Sequence, residues 1–139
     1  LILEGNYEEY LKPTPEEKIE KVLEVQELLA EKHQTTSSRV SLLLKLGNLL
    51  LSAKEYEEAL TSYEQAIKVK PDYYQACYNK GIALSALGLK EEAITSYEKV
   101  LKIKPDYHQA WYAKGVSQSA LERKERSLLS QLKLSAIYF

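Results

Sequence analysis

Apolar residues in this chain recur at helical spacing and almost never alternate. Ile19, Val22, Leu23, Val25, Leu28 and Leu29 fall on one face of a helix running to about His33. Thr14-Pro15-Glu16-Glu17 opens that helix: Thr14 supplies the N-cap, Pro15 fits the first turn, and Glu17 completes a capping box. Cys77, Gly81 and Leu84 make a second stripe, and Ala93, Tyr97 and Val100 a third. Asp72 is placed to cap the helix carrying Cys77, and Gly88 to end it in the left-handed conformation. Glu91 and Glu92 open the next helix at the positive end of its dipole, and Pro105 closes it by withholding an amide donor. The polar stretch Gln34-Thr35-Thr36-Ser37-Ser38 reads as a loop. The chain reads as all-helical.

The pattern also repeats. Glu57-Glu58-Ala59-Leu60-Thr61-Ser62-Tyr63-Glu64 returns 34 residues later as Glu91-Glu92-Ala93-Ile94-Thr95-Ser96-Tyr97-Glu98. Lys70-Pro71-Asp72-Tyr73 returns at the same offset as Lys104-Pro105-Asp106-Tyr107, and Gly47, Gly81 and Gly115 share it. A common period of this size signals stacked supersecondary units that cannot bury their apolar faces alone. The units run 40–73, 74–107 and 108–139, each divided into two helices, the last one degenerate.

These residues resemble the tetratricopeptide repeat. The first unit supplies Leu43, Leu46, Gly47, Leu50, Ala59, Tyr63, Ala66 and Pro71, and the second Cys77, Gly81, Leu84, Ala93, Tyr97, Val100 and Pro105. The third begins with Trp111, Gly115 and Gln118, then drifts, with Ser127 in place of Ala and Gln131 in place of the aromatic. The resemblance implies a right-handed solenoid of antiparallel helix pairs. In it the glycine lets the two helices of a unit approach, the alanine faces that contact, and the aromatic fills the groove between units. Residues 1–39 lie outside the register and are expected to hold a helix, about 15–33, that covers the open end of the first unit. An alternative for residues 1–14 is an earlier degenerate unit, since Gly5-Asn6-Tyr7-Glu8-Glu9 resembles the start of a second helix.

Composition narrows the function. The chain has 139 residues, 45% hydrophobic and 28% charged, with a formal net charge of -1, so it lacks the basic field of a dedicated nucleic-acid binder. Its longest apolar run, Val40 to Ala53, is broken by Lys45 and Asn48, which excludes a membrane span. One cysteine excludes an internal disulfide framework and a multi-cysteine metal site, and a cytoplasmic location is expected. The chain opens on Leu1 and contains no methionine, so a fragment of a longer protein is expected.

No constellation points to catalysis, a metal or a cofactor. His33 and His108 lack a paired nucleophile, and Cys77 stands where a buried bulky residue belongs, as a small hydrophobe. The paired glutamates recur at helix starts and serve the dipole. Lys68, Lys70, Lys102 and Lys104 make a solvated edge, and Lys80 and Lys114 pack their stems while their ammonium groups reach water.

The resemblance places function in a concave groove lined by the first helix of each unit. Its leading residues are Leu44, Lys45 and Asn48, then Gln75, Tyr78 and Asn79, then Gln109 and Tyr112. Tyrosine offers large contact area and a polar tip, which suits peptide binding. The family's carboxylate clamp keeps both amides here, Asn48 and Asn79, but Leu44, Gln109 and Ala113 stand at its three cationic positions. The expected function is a non-catalytic protein-interaction module holding a partner segment. The alternatives are a scaffold or regulatory region of a longer enzyme or signalling protein, and a self-association module. For the last, Leu128, Leu129, Leu132, Leu134 and Ile137 crowd a final helix, roughly Lys124 to Tyr138, suited to homo-oligomer formation about a twofold axis.

Overall fold

The computed structural model describes residues 14–31 and 34–138. They form α1 (Pro15–Ala30), α2 (Thr36–Ser52), α3 (Tyr56–Val69), α4 (Tyr74–Ala86), α5 (Lys90–Ile103) and α6 (His108–Tyr138). Helices α2 and α3 make one antiparallel hairpin and α4 and α5 a second, with α6 stacked on α5 and α1 on α2. The first helices touch in succession, α2 to α4 and α4 to α6, while α3 and α5 make no comparable contact among the described residues. The stack therefore curves with its first helices on the inside.

Local chemistry sets each helix end. Thr14 caps α1 as its sequence implies, its side chain accepting from Glu17 N–H at 3.2 Å while the Glu17 carboxylate accepts from Thr14 N–H at 3.1 Å. Thr35 accepts from Ser38 N–H at 3.1 Å and starts α2. Helix α1 stops at Ala30, short of the expected end near His33, which lies outside the described residues, as do residues 1–13. Asp72 does not cap α4. Tyr73 holds the N-cap position with no side-chain bond, and its N–H donates to Lys70 O at 3.1 Å in the preceding turn.

The two hairpins turn in the same way. Lys54 N–H reaches Leu51 O and Glu55 N–H reaches Leu50 O; Gly88 N–H reaches Ser85 O and Leu89 N–H reaches Leu84 O. This pair of hydrogen bonds to the last carbonyls is the Schellman C-cap, which requires a left-handed residue. Lys54 takes φ 63° and Gly88 φ 83°. Glycine adopts that conformation freely, whereas Lys54 does so against its Cβ.

The third unit behaves differently. The expectation of a separate last helix from about Lys124 does not hold: residues 108–138 form one helix of 31 residues. Glu122 stands at the position of Lys54 and Gly88, inside Leu121-Glu122-Arg123-Lys124-Glu125-Arg126, a run of strong helix formers with no left-handed residue. Nothing stops the helix there. At 1.5 Å per residue α6 is about 45 Å long, and its second half projects past the stack.

Inside each closed hairpin the aromatic sits on the glycine. A Cβ added to Gly47 would lie 2.4 Å from Tyr63 Cε1, and one added to Gly81 would lie 2.4 Å from Tyr97 Cε1. The tyrosines fill the space within a hairpin, and their clusters also take in Ala76 and Ala113 of the next unit, so the ring expected in the groove between units serves both contacts. Tyr63 packs in a cluster with Leu43, Leu46, Leu50, Ala59 and Ala66, and Tyr97 in one with Leu84 and Ala93.

Candidate functional site

The inner face is built from α2, α4 and the first half of α6. Asn48, on the fourth turn of α2, is its polar hinge. Asn48 Oδ1 accepts from the Tyr63 hydroxyl at 2.8 Å and from Asn79 Nδ2 at 2.8 Å. One carbonyl oxygen thus ties the first hairpin together and joins it to the second. Among the described residues Asn48 Nδ2 and Asn79 Oδ1 carry no hydrogen bond, so one amide NH2 group and one amide carbonyl keep their bonding capacity. Burial pushes the Tyr63 hydroxyl far above the usual tyrosine range, so it stays protonated and remains the donor.

The other groove residues divide by exposure. Tyr112 is 77% exposed on α6, and Lys45 and Gln109 are exposed as well. Leu44 and Gln75 are half-buried. Tyr78 is half-buried because its ring lies edge-on to Tyr107 at 5.2 Å and tilted against Tyr97 at 5.9 Å. It is a packing residue that stays partly exposed. Burial raises the Tyr97 hydroxyl to about 12, and burial together with the neighbouring Tyr107 raises Tyr78.

Away from the groove, charged side chains serve the stack. Lys80 Nζ pairs with Glu64 at 3.3 Å and Lys114 Nζ with Glu98 at 3.3 Å, each joining neighbouring units. Lys70, exposed, and Lys104, half-buried, each lie over a tyrosine ring, Lys70 at 4.9 Å from Tyr73 and Lys104 at 4.9 Å from Tyr74. Cys77 is buried, and that burial pushes its thiol above the ordinary value. Among the described residues no group of His, Cys, Asp and Glu is arranged to hold a metal, and no helix is long and apolar enough to cross a membrane.

On the third first-helix the exposed surface joins Tyr112, expected in the groove, to Trp111 and Gly115, expected to pack. Trp111, Tyr112, Gly115, Val116, Ser119 and Arg123 line an open cavity of ≈ 450 Å³. Trp111 is 53% exposed, and its Nε1 donates to Pro105 O at 2.8 Å. The signal was present in Glu122, whose failure to turn the chain leaves this face bare.

A fold of paired helices, with the same glycine–tyrosine contact 34 residues apart, defines a repeat solenoid. The tetratricopeptide-repeat family model matches residues 44–108 and 78–134, more than half the chain. The chain belongs to the tetratricopeptide-repeat family. Among solved structures it is similar to MamA at 21% identity and TM-score 0.69, covering 80% of this chain and 63% of that one. The chain thus spans less than two thirds of MamA's length. It is also similar to the first repeat domain of Spaghetti (RPAP3) bound to the HSP90 peptide SRMEEVD, at 21% identity and TM-score 0.58, covering 74% and 94%. A third similar structure is the C-terminal repeat domain of an FK506-binding protein of Plasmodium falciparum, at 16% identity and TM-score 0.62, covering 84% and 98%. A search of curated proteins finds no match.

Proposed function

We propose that this chain is a non-catalytic protein-interaction module whose inner groove takes an extended segment of a partner protein. The observation that carries the reading is the Asn48–Asn79 pair, pinned by Tyr63 across two units, with one donor and one acceptor left for a peptide backbone. Gln75, Gln109 and the exposed Tyr112 extend that surface, and tyrosine gives contact area at small entropy cost. The Spaghetti domain is bound to a peptide that is acidic and ends on Asp. Here Leu44, Gln109 and Ala113 supply no cation for a terminal carboxylate, so the groove favours an internal, weakly charged segment.

Selection from a displayed peptide library tests this. Selected peptides are expected to lose binding to Tyr112→Ala and to Asn79→Ala, with circular dichroism unchanged for Tyr112→Ala. They are expected to bind without a free C-terminal carboxylate. Undiminished binding by both variants would place recognition elsewhere on the molecule. A second reading, self-association involving α6, is favoured by the exposure of Trp111, Leu128, Leu129, Leu132, Leu134 and Ile137 on that helix.

A further inference from the structure

We propose that copies of this chain join head to tail, α1 of one copy docking as the missing second helix on the Trp111–Gly115 face of the next. The closed hairpins define what that face accepts. On α2 and α4 the glycine lies under a tyrosine ring from the partner helix, whereas a Cβ at Gly115 meets nothing within 4 Å. Trp111 and Val116 flank the glycine, 53% and 48% exposed. Helix α6 cannot cover this face with its own second half, because it runs straight through the position where the other units turn.

The opposite end of the molecule carries the complementary defect. A second helix in this stack has two partners, the first helix of its own unit and that of the next. Thus α3 packs on both α2 and α4, and α5 on both α4 and α6. Among the described residues helix α1 packs only on α2, burying Val25 and partly burying Val22 and Leu29. Roughly a quarter turn away, Ile19 and Leu23 stand 62% and 53% exposed, one turn apart. These two residues give that side of α1 an apolar rather than a polar outer face. Among the described residues, α6 is a first helix without a second, and α1 a second helix without a first.

Charge agrees with this pairing. Helix α1 carries five glutamates against two lysines, and α6 five lysines and arginines against two glutamates. An antiparallel docking like that of α3 on α2 brings the start of α1, with Glu16 and Glu20, to the stretch of α6 holding Arg123 and Arg126. Arg123 has no ion pair among the described residues; its Nε donates to Ser119 O at 3.4 Å. Trp111 then becomes the buried anchor of the contact, the residue type that most often dominates an interface. The contact is heterologous, so it propagates into open chains or closes into rings rather than ending at a dimer.

Sedimentation of the 139-residue chain over a concentration series reads this out. The wild type is expected to grow in mass with concentration and to shrink on adding salt. Gly115→Arg blocks the tail at a position with open space, and Ile19→Lys with Leu23→Lys blocks the head at exposed positions; each is expected to weaken association by roughly tenfold or more. Mixed in equal amounts, the two variants retain one good head and one good tail and are expected to form dimers and nothing larger. Should Gly115→Arg lose helicity, Val116→Lys blocks the same face from an exposed site. A wild type that stays monomeric at the highest concentration overturns the proposal. So does undiminished self-association of the α1 variant, the result a twofold pairing through α6 would give.

Discussion

Gly81 and Gly115 hold the same position in successive units, so one substitution made at both isolates what a second helix contributes. Gly→Ala inside a helix gains about 0.5–1 kcal/mol from backbone entropy alone. At Gly115 the added methyl meets nothing within 4 Å, so Gly115→Ala is expected to stabilise by that amount. At Gly81 the methyl would lie 2.4, 2.8 and 2.9 Å from Cε1, Cδ1 and Cζ of Tyr97, where ordinary contact starts near 3.4 Å. The ring must retreat by about 1 Å to restore normal contact. It is 1% exposed and lies against Tyr78, so it has no free direction. Overpacking of this kind costs about 1–3 kcal/mol, and after the entropy gain Gly81→Ala is expected to lose about 1–2 kcal/mol. The two variants should therefore differ by about 2–3 kcal/mol in opposite directions, well outside the error of urea unfolding followed by circular dichroism. Equal shifts of one sign at both sites would refute the assignment of an empty face at Gly115 and a filled one at Gly81.

Tyr97→Ala is expected to cost about 3–5 kcal/mol in the same assay, with loss of the neighbouring units, because the ring fills the second hairpin. Asn48→Ala strands the Tyr63 hydroxyl and is expected to cost about 1–3 kcal/mol, while Asn79→Ala, at the rim, costs about 1 kcal/mol or less. Alkaline titration should weaken the fold between pH 10 and about 12. Tyr97 is held at about 12 by burial against about 10 in the unfolded chain, so its contribution is complete below pH 10 and lost as pH rises toward 12. Tyr97→Phe should move that loss to higher pH, as seen by ellipticity at each pH. Glu122→Gly restores a left-handed residue at the turn position and should shorten α6, lowering helical ellipticity and any association through Trp111.

The hairpins were legible because their chemistry is local and repeated. The glycine, the alanine four residues before the tyrosine, and the tyrosine itself recur at one period, and two of the three units close as that pattern requires. The turn expected near Lys124 is absent because the position that bends the chain is not one of the positions that pack. Lys54, Gly88 and Glu122 align, and only the first two take positive φ. Asp72 looked like an N-cap by residue type, yet the turn after Pro71 placed Tyr73 there instead. In the groove, the amides Asn48 and Asn79 stand in register on neighbouring first helices and do meet, but the Tyr63 hydroxyl joining them comes from a second helix. The stacking of Tyr78 on Tyr107 was equally hidden, since it depends on the rotation between units, which no single unit encodes. The opposite charges of α1 and α6 are plain in the residues, but the open face depends on α6 running through without a turn.

That straightness is most directly tested by a distance. Spin labels at Gln109→Cys and Ala136→Cys, in a Cys77→Ala background, bracket most of α6 and sit on exposed or solvent-facing turns of it. An unbroken helix places the two backbones about 40 Å apart, at 1.5 Å per residue. A helix that turned near Glu122 and folded back on itself would bring them to about 10 Å, the spacing of packed helices. Pulsed electron resonance is expected to give a single population near the longer distance. A dominant population near the shorter one would mean that the third unit closes like the other two, and that the Trp111–Gly115 face is covered from within.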